Sequence, residues 1–172
     1  MFSDPAANLS KLGLADGMKV VDLGAGSGFY SFEAARRVGA SGRIYAVEIQ
    51  KDLLERLRSV GAKEGLRNIE AVWGNVEKIG GTKLREAIAD RVIASNILSH
   101  TAKHDDFALE IKRILKPGGK LLLVDWSDAS TMSPKTVVSS VKAETLFEKN
   151  GFKLDQSFDA GSHHYGLVLV RT

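Results

Sequence analysis

The 172-residue sequence predicts an α/β fold: a mostly parallel sheet of seven strands, helices on both faces, and an antiparallel hairpin at its C-terminal end. Three observations carry that reading. Short β-rich runs alternate with amphipathic segments from Lys19 onward, the pattern of a sheet covered on both sides. The first of these runs, KVVDL, enters a glycine-rich turn that leads into a helix-forming stretch. The last two β-rich runs are joined by a short Gly/Ser/His connection, which suits antiparallel pairing.

Taken in order, residues 19–23 form the first strand and 30–38 the first helix after it. Residues 43–48 (RIYAVE) are the second strand, and 51–64 carry Leu53, Leu54, Leu57 and Val60 at helical spacing. Residues 69–73 are the third strand, stopping before Gly74. A short helix is expected over 83–89 and the fourth strand over 90–94 (DRVIA). Residues 106–115 place Phe107, Ile111, Ile114 and Leu115 on one side of a helix. Lys116-Pro117-Gly118-Gly119 stops that helix, because proline cannot continue the ladder and glycine accepts positive φ. The fifth strand follows over 120–126 (KLLLVDW). A helix is expected over 134–149, with Ser133 as its cap, Pro134 at its first position and Gly151 beyond its end. Residues 152–158 and 165–171 are the final strands. No repeat or linker divides the chain, so residues 1–172 read as one domain, with 1–18 as an N-terminal lid segment.

Composition narrows the function classes. The chain has no cysteine, which excludes disulfides, thiolate metal sites and a thiol nucleophile, and suits a cytoplasmic protein. No apolar run approaches a membrane span, and Met1 to Ser10 lack the basic-then-apolar pattern of a signal peptide. The net charge of +3 favours acidic partners, RNA among them. The basic residues are nevertheless spread over several helices, and no arginine-rich tract or specific nucleic-acid motif is present.

The strongest signal is VVDLGAGSGFY at residues 20–30. A strand that enters Gly24-Ala25-Gly26-Ser27-Gly28 lets the backbone approach a ligand with no Cβ in the way, and the helix N-terminus beyond offers free N–H groups. The dinucleotide fingerprint needs glycine at the sixth position, where this chain has Phe29. The pattern is G-x-G-x-G with Asp22 two residues before it, and this resembles motif I of the class I S-adenosylmethionine (SAM)-dependent methyltransferases. Further matches follow in the family's order: Glu48 at the end of the second strand, Gly74-Asn75-Val76 after the third, and Leu115 to Leu121 like the LKPGG turn. Gly74-Asn75 departs from the family's Gly-Asp.

The resemblance implies a Rossmann-like fold, with the last strand inserted into the sheet, and SAM as cofactor. It assigns Asp22 to the methionine ammonium and Gly24, Ala25, Gly26, Gly28 and Tyr30 to the loop contacts. Glu48 would hold the ribose hydroxyls, Ile49 the adenine face, and Asn75 and Val76 the adenine edge. Ser95, Asn96 and Ile97 would line the methionine end. The LKPGG turn is structural.

After the fourth strand stands Ser95-Asn96-Ile97-Leu98-Ser99-His100-Thr101, without the proline and tyrosine of amine-methylating enzymes of DNA. It resembles the Asn-x-Leu-x-His stretch of small-molecule methyltransferases of the ubiquinone/menaquinone group. The expected reaction is methyl transfer to an unidentified acceptor, a small molecule first; an RNA or protein acceptor and a non-catalytic SAM-binding subunit are the alternatives. His100 is the candidate base. His163 and His164 sit in the terminal turn, which leaves open whether either reaches the crevice. Asp125 and Asp128 flank the end of the fifth strand, where catechol-type relatives hold a metal, but the matching acid after the fourth strand is missing and no metal is assigned. Phe2 is a candidate cover for the cofactor, and the short stretch before the first strand suggests an open site, suited to a large substrate, a partner subunit or a homodimer.

Overall fold

The computed structural model describes residues 3–127, 134 and 136–172. Seven strands form one sheet in the order β3-β2-β1-β4-β5-β7-β6. They are β1 (Lys19–Leu23), β2 (Arg43–Glu48), β3 (Ile69–Trp73), β4 (Ala89–Ser95), β5 (Leu115–Trp126), β6 (Phe152–Asp159) and β7 (His164–Arg171). β1 to β5 pair in parallel, while β7 slots between β5 and β6 and runs antiparallel to both. The helices are α1 (Pro5–Leu9), α2 (Phe29–Val38), α3 (Lys51–Lys63), α4 (His104–Ile114) and α5 (Ser140–Lys149).

Strands at the centre of a sheet covered on both faces read as continuous apolar runs. β1 and β4 fit that rule, with Val20, Val21, Leu23, Val92, Ile93 and Ala94 fully buried. One core cluster joins Val21, Val92, Leu121 and Leu123 to Phe107, Ile111 and Phe147 of α4 and α5. The opposite face joins Val20, Ile93, Leu122 and Val168 to Ala34, Ala35 and Val38 of α2, with Leu9 and Leu12 of the N-terminal segment. Strand order reverses between β1 and β4, and at such a switch point the loops at the carboxyl ends of adjacent strands diverge and leave a crevice.

Two expected helices differ from the structure. Residues 83–89 form turns: Glu110, fully buried on α4, accepts from the backbone N–H groups of Gly80 (2.7 Å) and Thr82 (3.2 Å). Arg113 completes that carboxylate's shell, and Ala87 N–H donates to the Arg113 carbonyl at 2.9 Å. Lys83 and Ala87 consequently take φ of 61° and 50°, outside the helical region. The helix expected over 134–149 begins at Ser140, because Ser139 is the residue whose hydroxyl accepts from the third helical N–H, that of Lys142. Ser133, the expected cap, lies outside the described residues. The LKPGG turn does end α4, and it enters β5 as an irregular bulge: Leu115 pairs with Ala89, then Lys120 with Arg91.

Candidate active site

The crevice at the switch point is a cleft of about 460 Å³, within the range of small-molecule sites. Asp22, Gly24, Ala25 and Gly26 form one wall, Ser95 and Asn96 a second, and Trp126 and His164 a third; Ser3 and Pro5 close the N-terminal side. Gly24, Gly26 and Gly28 all have left-handed φ, between 52° and 86°. A Cβ on Gly24 would collide with the Ile97 side chain, so the β1 and β4 loops touch there. A Cβ on Gly26 would meet nothing nearer than 3.8 Å, so open space lies over that residue.

Two carboxylates organise the loop. Glu48, only 6% exposed, accepts from Gly26 N–H (3.0 Å) through one oxygen and from Ile49 and Gln50 N–H (2.8 and 3.0 Å) through the other. It therefore anchors the glycine loop as well as standing at the end of β2. That second role is invisible in the sequence, because it depends on the parallel pairing of β1 with β2. An ionised carboxylate offers about four lone-pair sites, so acceptor capacity remains on Glu48 for further donors. Asp22, 2% exposed, accepts from Ser31 Oγ at 2.6 Å. Burial pushes its pKa up to about 6, the Ser31 hydrogen bond opposes this, and the charge of Glu48 adds to it.

Asn96 takes φ of 53°, and its N–H donates to the Val124 carbonyl at 2.8 Å. Its side-chain Oδ1 is buried on the cleft without a hydrogen-bond partner among the described residues. The Tyr30 hydroxyl is engaged with the N-terminal segment: Asn8 Nδ2 donates to it at 2.9 Å, and Ser3 Oγ lies 3.0 Å away. Asp4 caps α1: its carboxylate accepts from the N–H groups of Ala6 and Ala7, and so fixes this segment across the cleft. Phe2 lies outside the described residues.

Beyond Glu48 a second cavity, about 440 Å³, is lined by Ile49, Trp73, Gly74, Asn75 and Lys83. Ile49 is 54% exposed, and its carbonyl accepts from the Trp73 indole N–H at 2.9 Å. Lys83 and Lys51 place their ammonium groups 4.3 and 5.0 Å from the Trp73 ring centre. Asn75 spends one oxygen lone pair on Glu77 N–H in a local turn, and Val76 is buried in the core. Sequence reading missed Trp73, whose place beside Ile49 follows from the β2–β3 register.

His100 stands apart. It ends a short 3-10 turn, Leu98–His100, is exposed, and faces a third cavity with Thr101, His104, Val138 and Lys142. His164 is the histidine on the glycine-loop cleft. The Asp125 carboxylate is held by the Ser99 hydroxyl and accepts from Ser99 N–H (3.2 Å) and Trp126 N–H (2.8 Å). Asp128 lies outside the described residues.

A parallel sheet closed by an inserted antiparallel strand, with a glycine loop and a β2-end acid at its switch point, defines the class I SAM-dependent methyltransferases. The chain belongs to the methyltransferase domain family, which matches residues 14–162. It is 31% identical to a ubiquinone/menaquinone biosynthesis C-methyltransferase of Laribacter hongkongensis, over 95% of this chain and 64% of that one. It is 27% identical to the demethylmenaquinone methyltransferase of Lactococcus lactis, over 71% of this chain and 47% of the relative. The chain spans less than half the length of that relative, and about a third of an arsenite methyltransferase of Aquipseudomonas alcaligenes, at 30% identity over 65% of this chain. Among solved structures, a SAM-dependent methyltransferase from Aquifex aeolicus superposes with a TM-score of 0.89 and 26% identity, covering 99% of this chain and 90% of that one. No helix among the described residues is long and apolar enough to cross a membrane.

Proposed function

We propose that this chain binds SAM along the Asp22–Gly26 wall and transfers its methyl group to a small-molecule acceptor. The observation that carries the reading is Glu48: one carboxylate bonded both to Gly26, on the first cleft, and to Ile49, on the second. A nucleoside laid across the two cavities would put its ribose over that carboxylate, its adenine against Ile49 beside Asn75, with Val76 behind in the core rather than on the adenine edge, and its amino-acid end toward Asp22 and Asn96. The residues fit such a ligand. Open space over Gly26 suits close backbone approach, the unpartnered Asn96 Oδ1 suits an ammonium donor, and Asp22 supplies a negative charge once ionised.

When bound, SAM supplies an activated methyl group on a sulfonium. The chain's own task is then chiefly to hold the two reactants in line, which is worth many powers of ten in rate. Gly24, Ala25 and Gly28 shape the loop, Ile97 packs on Gly24, and Tyr30 ties the N-terminal segment over the cleft as a lid. Small-molecule acceptors are supported by the quinone-precursor and arsenite methyltransferases among the relatives. His100 belongs to the acceptor side of this reading, on the neighbouring cavity.

Calorimetric titration with SAM, S-adenosylhomocysteine and NAD tests the proposal. Micromolar binding of the two sulfur ligands with none of NAD is expected. Binding of NAD alone, or of no nucleotide, would overturn it.

A further inference from the structure

His164 opens β7, and the register sets it opposite Trp126, the last residue of β5. Its imidazole stacks on the indole with ring centres 4.3 Å apart and planes tilted by 38°. The residue is 4% exposed and lines the cleft shared by Asp22, Gly26 and Asn96. Neither Nδ1 nor Nε2 has a hydrogen-bond partner among the described residues. The backbone around it is fully tied: His164 N–H donates to Gly161 O, its carbonyl accepts from Ala160, and the His163 carbonyl accepts from Ser127. Strand pairing and stacking thus fix the ring, and both of its nitrogens are buried without a partner among the described residues, on a residue that lines the cleft. Leaving a buried polar group unpaired is costly, and native chains rarely accept that without a use.

Building on the SAM reading, the geometry points to His164 as the base of the reaction: a ring nitrogen accepts the proton of the acceptor atom while that atom bonds to the methyl carbon. The acceptor is then a protic nucleophile, a hydroxyl or a carbon acid, and not a thioether or tertiary amine, which carries no proton to lose. In the step, the acceptor's electron pair forms the bond to the methyl carbon. The carbon–sulfur bond breaks with its pair going to sulfur, which cancels the sulfonium charge. The proton ends on imidazole as imidazolium and passes to water after product leaves, so charge and atoms balance without an oxidant.

The surroundings suit that cycle. Burial lowers the pKa of His164, the charge of Asp125 opposes this, and the neighbouring His163 reinforces it. The ring is therefore neutral and able to accept at pH 7, while the charge of Asp125 favours the imidazolium that forms.

Sinefungin tests this without an acceptor, because it carries a protonated amine where SAM has its methylsulfonium. Its affinity and that of S-adenosylhomocysteine are measured by calorimetry at pH 8 for the wild type, His164→Phe and His164→Gln, with thermal unfolding as the check on folding. Phenylalanine preserves the stack on Trp126, and glutamine keeps an acceptor should phenylalanine prevent folding. The expected result is unchanged S-adenosylhomocysteine binding in both variants, with sinefungin weakened ~10-fold by phenylalanine and less by glutamine. An unchanged sinefungin-to-S-adenosylhomocysteine ratio in the folded variants overturns the role of His164 and leaves the SAM reading standing. Failure of the wild type to bind either compound overturns the SAM reading and, with it, this one.

Discussion

Asp22→Asn should make the protein more stable and a poorer binder of SAM. Asp22 is 2% exposed, and burial raises its pKa from 3.8 to about 6. A tenfold change in proton affinity is worth about 1.4 kcal/mol, so holding this carboxylate ionised in the folded chain costs about 3 kcal/mol above pH 7. The sign follows from proton binding. Between 3.8 and 6 the folded state holds the proton that the unfolded state has released. Stability from this group is therefore full below 3.8, declines as pH rises, and is gone above 6. Asparagine is neutral throughout, and its Oδ1 can still accept from Ser31. Urea unfolding at pH 8 should show the variant more stable by up to about 3 kcal/mol, with roughly half that gain at pH 5. Calorimetry should show SAM bound ~10- to 100-fold more weakly by the variant, because a charge-assisted partner of the ammonium is lost. In the wild type, SAM affinity should fall as pH drops below 6, with a proton released on binding. A variant less stable than the wild type at pH 8, by an amount independent of pH, would refute the burial argument. Unchanged SAM affinity would refute the role given to Asp22.

Glu48→Gln should weaken SAM binding at least ~10-fold and also lower stability, since one of the N–H groups of Gly26, Ile49 and Gln50 would face an amide donor; equal affinity in calorimetry would remove the ribose assignment. Gly24→Ala and Gly26→Ala should separate two costs. Both strain a left-handed φ, by about 1 kcal/mol, but only the first also collides with Ile97, so thermal unfolding should find Gly24→Ala the less stable while both bind SAM poorly. Glu110→Ala should cost about 3–5 kcal/mol by stranding Arg113 and freeing the 80–82 turn, read by urea unfolding. Burial raises the pKa of Glu110, but the hydrogen bonds from Arg113, Thr82 and Gly80 outweigh it and hold the pKa low. Its contribution should be full above pH 4.5 and vanish as pH falls through the depressed value, so the gap between variant and wild type should close in acid.

All seven strands are legible in the sequence because each is a short run of β-branched and other apolar residues ended by glycine or a polar turn, and burial of both faces leaves few other readings for such runs. Their order in the sheet is legible only through the family resemblance, since no local pattern says that β7 enters between β5 and β6. The turn over 83–89 reads as helix because Glu110, which fixes it, lies 21 or more residues further along the chain. The α5 start is misplaced in sequence for a different reason: Ser133-Pro134 and Ser139 are both acceptable helix starts, and the capping bond is made by Ser139. On the site, the glycine loop and Asp22, Glu48, Ser95 and Asn96 are readable because each sits at or near the end of a recognisable strand.

Histidine is where local reading fails and the register decides. His100 stands in a polar loop directly after β4 and looks like the catalytic choice, yet the 3-10 turn at Leu98–His100 directs it to a neighbouring cavity. His163 and His164 are adjacent and chemically identical, and one step of strand alternation separates them. Antiparallel pairing of Trp126 with His164 puts the second against the indole and on the cleft, whereas the first spends its carbonyl on Ser127 in the turn. A one-residue slip of β7 against β5 would exchange the two rings. The bulge between Leu154 and Gln156 is a register irregularity on the β6 side alone, and β7 pairs with β5 without interruption from Lys120↔Val170 to Trp126↔His164. The inserted strand thereby does for the cleft what the glycine loop does on the other side: it delivers one side chain to a position that only the completed sheet defines.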